Sequence, residues 1–120
     1  MAKLDDYRRY VQQILERYSQ LKPAYGDLER QLVFDPVRDH YLLATVGWRE
    51  RQRVYGCLVH VDIKDGQIWI QHDGTEEGIA NALVALGVPK EDIVLAFHAS
   101  YRRPLTGFGV GKEQTGQRAA

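Results

Sequence analysis

Several familiar features are scarce in this sequence, and each shortage narrows what the protein can be. A single cysteine, Cys57, stands among 120 residues. No internal disulfide can form, so the fold must rest on its hydrophobic core. No apolar run approaches the length of a signal h-region or a membrane span, and with the lone cysteine this implies a cytoplasmic protein. Neither sign of charge is in excess: sixteen basic and sixteen acidic residues cancel, unlike a protein that tracks nucleic-acid phosphates over its whole surface. Serine is limited to Ser19 and Ser100, and neither lies in a nucleophile setting. No GxxxxGK[ST] phosphate loop is present. Gly107, Gly109 and Gly111 are followed by a short polar tail rather than by the helix a dinucleotide fingerprint requires.

What is present is the pattern of one α+β domain over residues 1–111, followed by a tail, 112–120, whose polar composition predicts mobility. Leu4, Tyr7, Val11, Ile14, Tyr18 and Leu21 recur every three or four residues, predicting a helix over 3–20 that Pro23 ends. The stripe suits a coiled-coil seam, but packing on a sheet is the better use of so short a helix. From Asp27 the period falls to two, and strands are predicted up to Asp35-Pro36, over 41–48, over 54–63 and over 67–72. Asp65-Gly66 forms the hairpin tip between the last two. A second helix is predicted to start near Thr75 and end at Gly87, burying Ile79, Ala82, Leu83 and Leu86. The apolar run 93–97 then reads as a further strand, parallel to the fourth. The architecture is thus α-β4-α-β: a helix, a four-stranded mainly antiparallel sheet, a second helix and one more strand.

Chemistry-bearing residues concentrate where the fourth strand meets the second helix. Counting outward from Asp65-Gly66 pairs Val59 with His72 and His60 with Gln71, which sends His60 and His72 to opposite faces and leaves His72 among Val59, Val61, Ile68 and Ile70. Asp73 or Thr75 can cap the second helix, and Glu76 stands at capping-box spacing from Asp73. Glu76 and Glu77 make this helix start unfavourable for an anion. Parallel fourth and fifth strands would carry His72, Asp73 and His98 to the same carboxyl edge, near Tyr101 and Arg102, where open sheets bind ligands. Such a His/Asp/His grouping could hold a metal or perform acid-base work, so a metal- or ligand-binding enzyme is the alternative function; the spacing matches no metal motif, so the first expectation includes no metal or cofactor. Arg49, Arg51, Arg53 and Arg103 are candidate nucleic-acid contacts if the fold gathers them, and solvated turns otherwise. Tyr7, Tyr18, Tyr41, Trp48 and Trp69 are candidate interface aromatics, each also suited to the core. Cys57 lies inside a strand whose alternation buries it.

The blocks "VGW", "YGC", "HVDIKDG", "WIQHDGTE" and "GVPKEDIVL", within "YGDLERQLVFDPVRDHYLLATVGW" and the strand-helix-strand region that follows, closely resemble XisI, the fdxN element excision controlling factor family of cyanobacteria. The resemblance runs from about residue 3 to residue 111. It implies a small, non-enzymatic accessory protein. Such a factor acts with a XisH-like partner, and associates indirectly with DNA, to permit excision of a DNA element by a separate recombinase. It implies no catalytic residues. Self-association into a homo-oligomer is a further expectation.

Overall fold

In the computed structural model, which describes residues 2–21 and 26–111, a helix α1 (Ala2–Ser19) precedes four strands, β1 (Asp27–Asp35), β2 (His40–Arg49), β3 (Gln52–Lys64) and β4 (Gln67–Asp73). A short helix α2 (Ile79–Ala85) leads through a single 3-10 turn, Lys90–Asp92, to β5 (Ile93–Leu95), and a second 3-10 segment, Ser100–Leu105, follows. All five strands form one sheet in chain order. The first three pairings are antiparallel and β4–β5 is parallel. The domain is therefore α+β with a five-stranded mixed sheet, in which the strand expected after the second helix, parallel to the fourth, is the fifth member. Pro23 and the tail 112–120 lie outside the described residues.

The turns follow from their residues. Asp35 Oδ1 accepts the amide hydrogens of Val37 and Arg38, both at 3.1 Å, and closes the β1–β2 connection as an Asx-type turn. Asp65 and Gly66 take φ values of 56° and 76°, the paired left-handed conformation that a two-residue hairpin needs to match strand twist. The β2–β3 turn is tighter than the polar run from Arg49 to Arg53 suggested. Only Glu50 and Arg51 separate the strands.

One face of the sheet holds the core. Tyr7, Val11, Ile14, Leu15 and Tyr18 of α1 meet Tyr41, Leu43, Val59, Val61, Ile63, Ile68 and Ile70 of the strands, with Ile79, Ala82 and Leu83 of α2. The apolar stripe of α1 thus packs on the sheet, as its length favours; Leu21, just past the helix, is 55% exposed. Hydroxyls fix the helix in place: Tyr18 donates to Glu77 Oε1 at 2.5 Å and Tyr7 to Asp92. Arg8 clasps Asp39 through Nε and Nη2, at 2.8 and 3.0 Å. Such a two-pronged guanidinium–carboxylate pair fixes orientation as well as distance.

Two β-bulges break the simple register. Between Leu43 and Ala44 the partners on β3 jump from Val59 to Cys57, leaving Leu58 as the extra residue. Between Val61 and His60 the partners on β4 jump from Ile70 to His72, leaving Gln71 as the extra residue. The pairs from Lys64–Gln67 to Val61–Ile70 agree with the arithmetic from the hairpin tip; beyond them the extra residue displaces everything by one. His60 and His72 are consequently direct cross-strand partners, and His72 is exposed rather than lodged among the isoleucines.

Helix α2 begins four residues later than Thr75. The segment after β4 is held by Asp73 in a bend, and Gly78, at φ 93°, precedes the first helical residue. At the other end Gly87 takes φ 102°, and the amides of Gly87 and Val88 return to the carbonyls of Val84 and Leu83. This is a Schellman closure, in which glycine accepts the left-handed conformation at little cost. Leu86 falls outside the buried face, at 40% exposure, and Val88 is buried in its stead. Strand β5 stops at Leu95 because the chain turns there: His98 donates its amide to Leu95, and Phe97 is 51% exposed.

Candidate functional site

The sheet face turned away from α1 is covered only in part. On β4 and β5 it is buried: Trp69 and Val94 are 1% and 0% exposed. Their cover is the segment after β5. Arg103 lies over the Trp69 ring at 5.3 Å, donates from Nε to the His98 carbonyl at 3.1 Å and reaches the Val110 carbonyl at 3.4 Å. A Cβ on Gly111 would stand 2.4 Å from the Trp69 ring, so only glycine fits against the indole there. Arg103, expected among solvent-facing DNA contacts, is 8% exposed and committed to its own chain.

On β1–β3 no described element packs over the same face. The register runs Asp35, His40, Asp62, Trp69 across four strands, so His40 and Asp62 continue the row that ends beneath the C-terminal segment. His40 Nδ1 lies 2.8 Å and His60 Nε2 2.9 Å from the same oxygen, Asp62 Oδ1. Gln71, the bulge residue, donates from Nε2 to Asp62 Oδ2 at 3.1 Å. The Asp62 side chain is 15% exposed, against 33% for His60 and 51% for His40. A partly buried carboxylate is thus gripped by two imidazoles and an amide, with one imidazole reaching solvent. Such a group can bind a cation or hold and pass a proton.

Sequence reasoning overlooked this cluster because His40 belongs to a strand whose partner register was not assigned. The signal was there. His60 and Asp62 are two apart and share a face, and a two-residue β2–β3 turn brings His40 opposite Asp62 once the Leu58 bulge is allowed for.

The carboxyl edge of β4 is arranged differently from the expected grouping. Asp73 Oδ1 accepts both the amide and the hydroxyl of Thr75, at 2.9 and 2.6 Å, and Oδ2 accepts the Ile79 amide at 2.7 Å. Thr75 Oγ1 in turn accepts the Gly78 amide at 3.1 Å. Asp73 and Thr75 therefore share the capping role between them. His98 packs against Phe97, with ring centroids 4.8 Å apart, and Tyr101 is 76% exposed. Among the described residues, the three-membered group of ligand-type atoms within 4.8 Å of one another is His40, His60 and Asp62; His72, Asp73 and His98 form no such group.

The remaining candidates separate into core and surface. Tyr7, Tyr18, Tyr41 and Trp69 are all buried, whereas Trp48 is 49% exposed, with Arg53 5.5 Å from its ring. Burial and the Asp39 carboxylate push the Tyr41 hydroxyl up to about 12. Arg53 also donates to the Gly47 carbonyl at 3.3 Å; Arg49, Arg51, Arg53 and Arg102 are all exposed, and Arg103 alone of the arginine candidates is buried. Burial pushes the Cys57 thiol above its usual range, and the thiol donates to the Val59 carbonyl at 3.1 Å, a setting that disfavours a reactive thiolate.

Comparison with known proteins gives this arrangement its lineage. The profile of the XisI protein family matches residues 1–110. The chain belongs to the XisI family. A XisI-like protein from Anabaena variabilis ATCC 29413, of known crystal structure, is 42% identical, with a TM-score of 0.85 over 90% of this chain and 99% of its own. The fdxN element excision controlling factor XisI of the same organism is 34% identical, with a TM-score of 0.80 over 91% of this chain and 99% of its own. No curated protein matches the chain. Among the described residues, no helix of this XisI-family member is long and apolar enough to cross a membrane.

Proposed function

We propose that this XisI-family chain is a cytoplasmic, non-enzymatic accessory factor in DNA excision. It acts with a XisH-like partner so that a separate recombinase removes a DNA element. The observation that carries this reading is the likeness to the fdxN element excision controlling factor, which spans nearly the whole of that protein at 34% identity. The geometry is consistent with it. The strand-to-helix corner that most resembles an active site uses both Asp73 oxygens on backbone and hydroxyl donors of its own chain, so those oxygens serve folding.

Trp48 supports a surface for that partnership. It is the one member of the five interface aromatics that stays half exposed, and it stands on the open sheet face. Exposed aromatics tend to anchor interfaces, including those of a homo-oligomer.

The test is co-expression with a XisH-type protein, followed by co-purification and an excision reporter carrying the recombinase. A stable complex, with excision only when both small proteins are present, is the expected result. Excision that proceeds equally without this chain, together with failure to co-purify, would end the reading.

A further inference from the structure

We propose that His40, His60 and Asp62 form a binding site for a divalent first-row transition ion, on the sheet face that neither helix covers. The donor set is two imidazole nitrogens and one carboxylate oxygen, a combination suited to such ions and not to calcium or magnesium, which prefer oxygen alone. The three donor atoms lie within 4.8 Å of one another. Two edges, 2.8 Å from His40 Nδ1 and 2.9 Å from His60 Nε2 to Asp62 Oδ1, are hydrogen-bond lengths that need to open by only a few tenths of an ångström to reach the separation of neighbouring ligands around an ion with bonds of about 2.1 Å, which is about 3.0 Å at an octahedral ion and about 3.4 Å at a tetrahedral one.

The support around these donors is of the kind metal ligands require. They stand on two central, directly paired strands, with His40 and Asp62 as cross-strand partners, so the backbone ladder fixes their spacing. Gln71 Nε2 holds the other carboxylate oxygen, Asp62 Oδ2, at 3.1 Å. An outer partner of this sort orients a ligating carboxylate. Gln71 reaches that place because it is the extra residue of the β4 bulge, and bulges commonly re-aim a side chain beside a site. Three protein ligands on one side leave the remaining coordination positions facing solvent, where the half-exposed His40 marks the opening. The site lies on a different part of the sheet from the Asp73 corner and does not depend on the excision role.

The experiment uses full-length protein with no oligohistidine tag, stripped with chelator. It is titrated with zinc by calorimetry and with cobalt(II) by visible absorption. One ion per chain is expected, with a ligand-field band for bound cobalt and a rise in melting temperature. His40→Gln and His60→Gln should each weaken binding at least tenfold, Gln71→Leu about tenfold, and His72→Gln with His98→Gln should leave it unchanged. Circular dichroism confirms that each variant is folded, and His40, half in solvent, is the position least tied to folding. Absence of uptake by the parent protein would overturn the proposal and leave the trio as a hydrogen-bonded cluster. Uptake undiminished by His40→Gln and His60→Gln, or lost only in the His72→Gln/His98→Gln protein, would overturn it equally.

Discussion

Asp73 and Ile79 are joined across six residues: the carboxylate that ends β4 accepts the first amide of α2 at 2.7 Å. The same side chain holds the Thr75 amide and hydroxyl through its other oxygen. Both ends of the corner therefore hang on one residue. Asp73→Ala is expected to cost about 2 kcal/mol of stability, more than an ordinary cap, because three donors lose their acceptor. Asp73→Asn, which retains one oxygen, should cost about half as much. Urea denaturation followed by circular dichroism measures both, and an Asp73→Ala protein as stable as the parent would show that the corner is held by other contacts.

The Arg8–Asp39 clasp predicts a dependence on pH. Pairing with the Arg8 guanidinium, aided by the Tyr41 hydroxyl and opposed by burial, holds the Asp39 carboxyl below its usual range. A depressed carboxylate contributes stability that is fully present above the unfolded value of about 4 and is lost as pH falls through the folded value. Asp39→Asn should thus be less stable than the parent at neutral pH, and the gap should close progressively below about pH 4. Asparagine tolerates the φ of 62° at this position, so the comparison isolates the charge. Melting temperatures measured across the acid range give the answer.

Arg103 and Trp69 lock the segment after β5 onto the sheet. Arg103→Ala removes two carbonyl partners and the cation above the indole, and is expected to destabilise by about 2–3 kcal/mol. In a Trp48→Phe background the fluorescence of Trp69 should shift to the red as water reaches the ring. A buried emission spectrum in the Arg103→Ala protein would mean that Gly111 and its neighbours hold without the arginine.

Trp48 separates binding from stability. At 49% exposure, its replacement by alanine should change stability by no more than about 0.5 kcal/mol, as surface substitutions usually do. Capture of the XisH-type partner, compared by pull-down, should fall severalfold. Unchanged capture would remove this part of the face from the interface.

Much of the fold was legible because it obeys short-range rules. The period of three to four in Tyr7, Val11, Ile14 and Tyr18, the Asp65-Gly66 tip, the Gly87 ending and the parallel placement of Ile93 each follow from residues close together in sequence. The site was harder to see because it depends on bulges, which insert a residue without a sequence mark. Gln71 alone converts His60 and His72 from residues on opposite faces into partners, and Leu58 decides which part of β3 meets His40. Arg103 was misplaced for another reason. Its charge suggested solvent, but the guanidinium satisfies itself on backbone carbonyls and an aromatic face, a tertiary arrangement that composition does not reveal.

Among the described residues, the order of the sheet leaves β1 as a nine-residue outer strand with no strand on its far side. An exposed edge of that length invites edge-to-edge stacking and aggregation. Here Asp27, Glu29, Arg30 and Asp35 punctuate it with charge, so a second copy approaching in register would set like charges beside one another. The outer strand thereby guards its margin by electrostatic repulsion between copies.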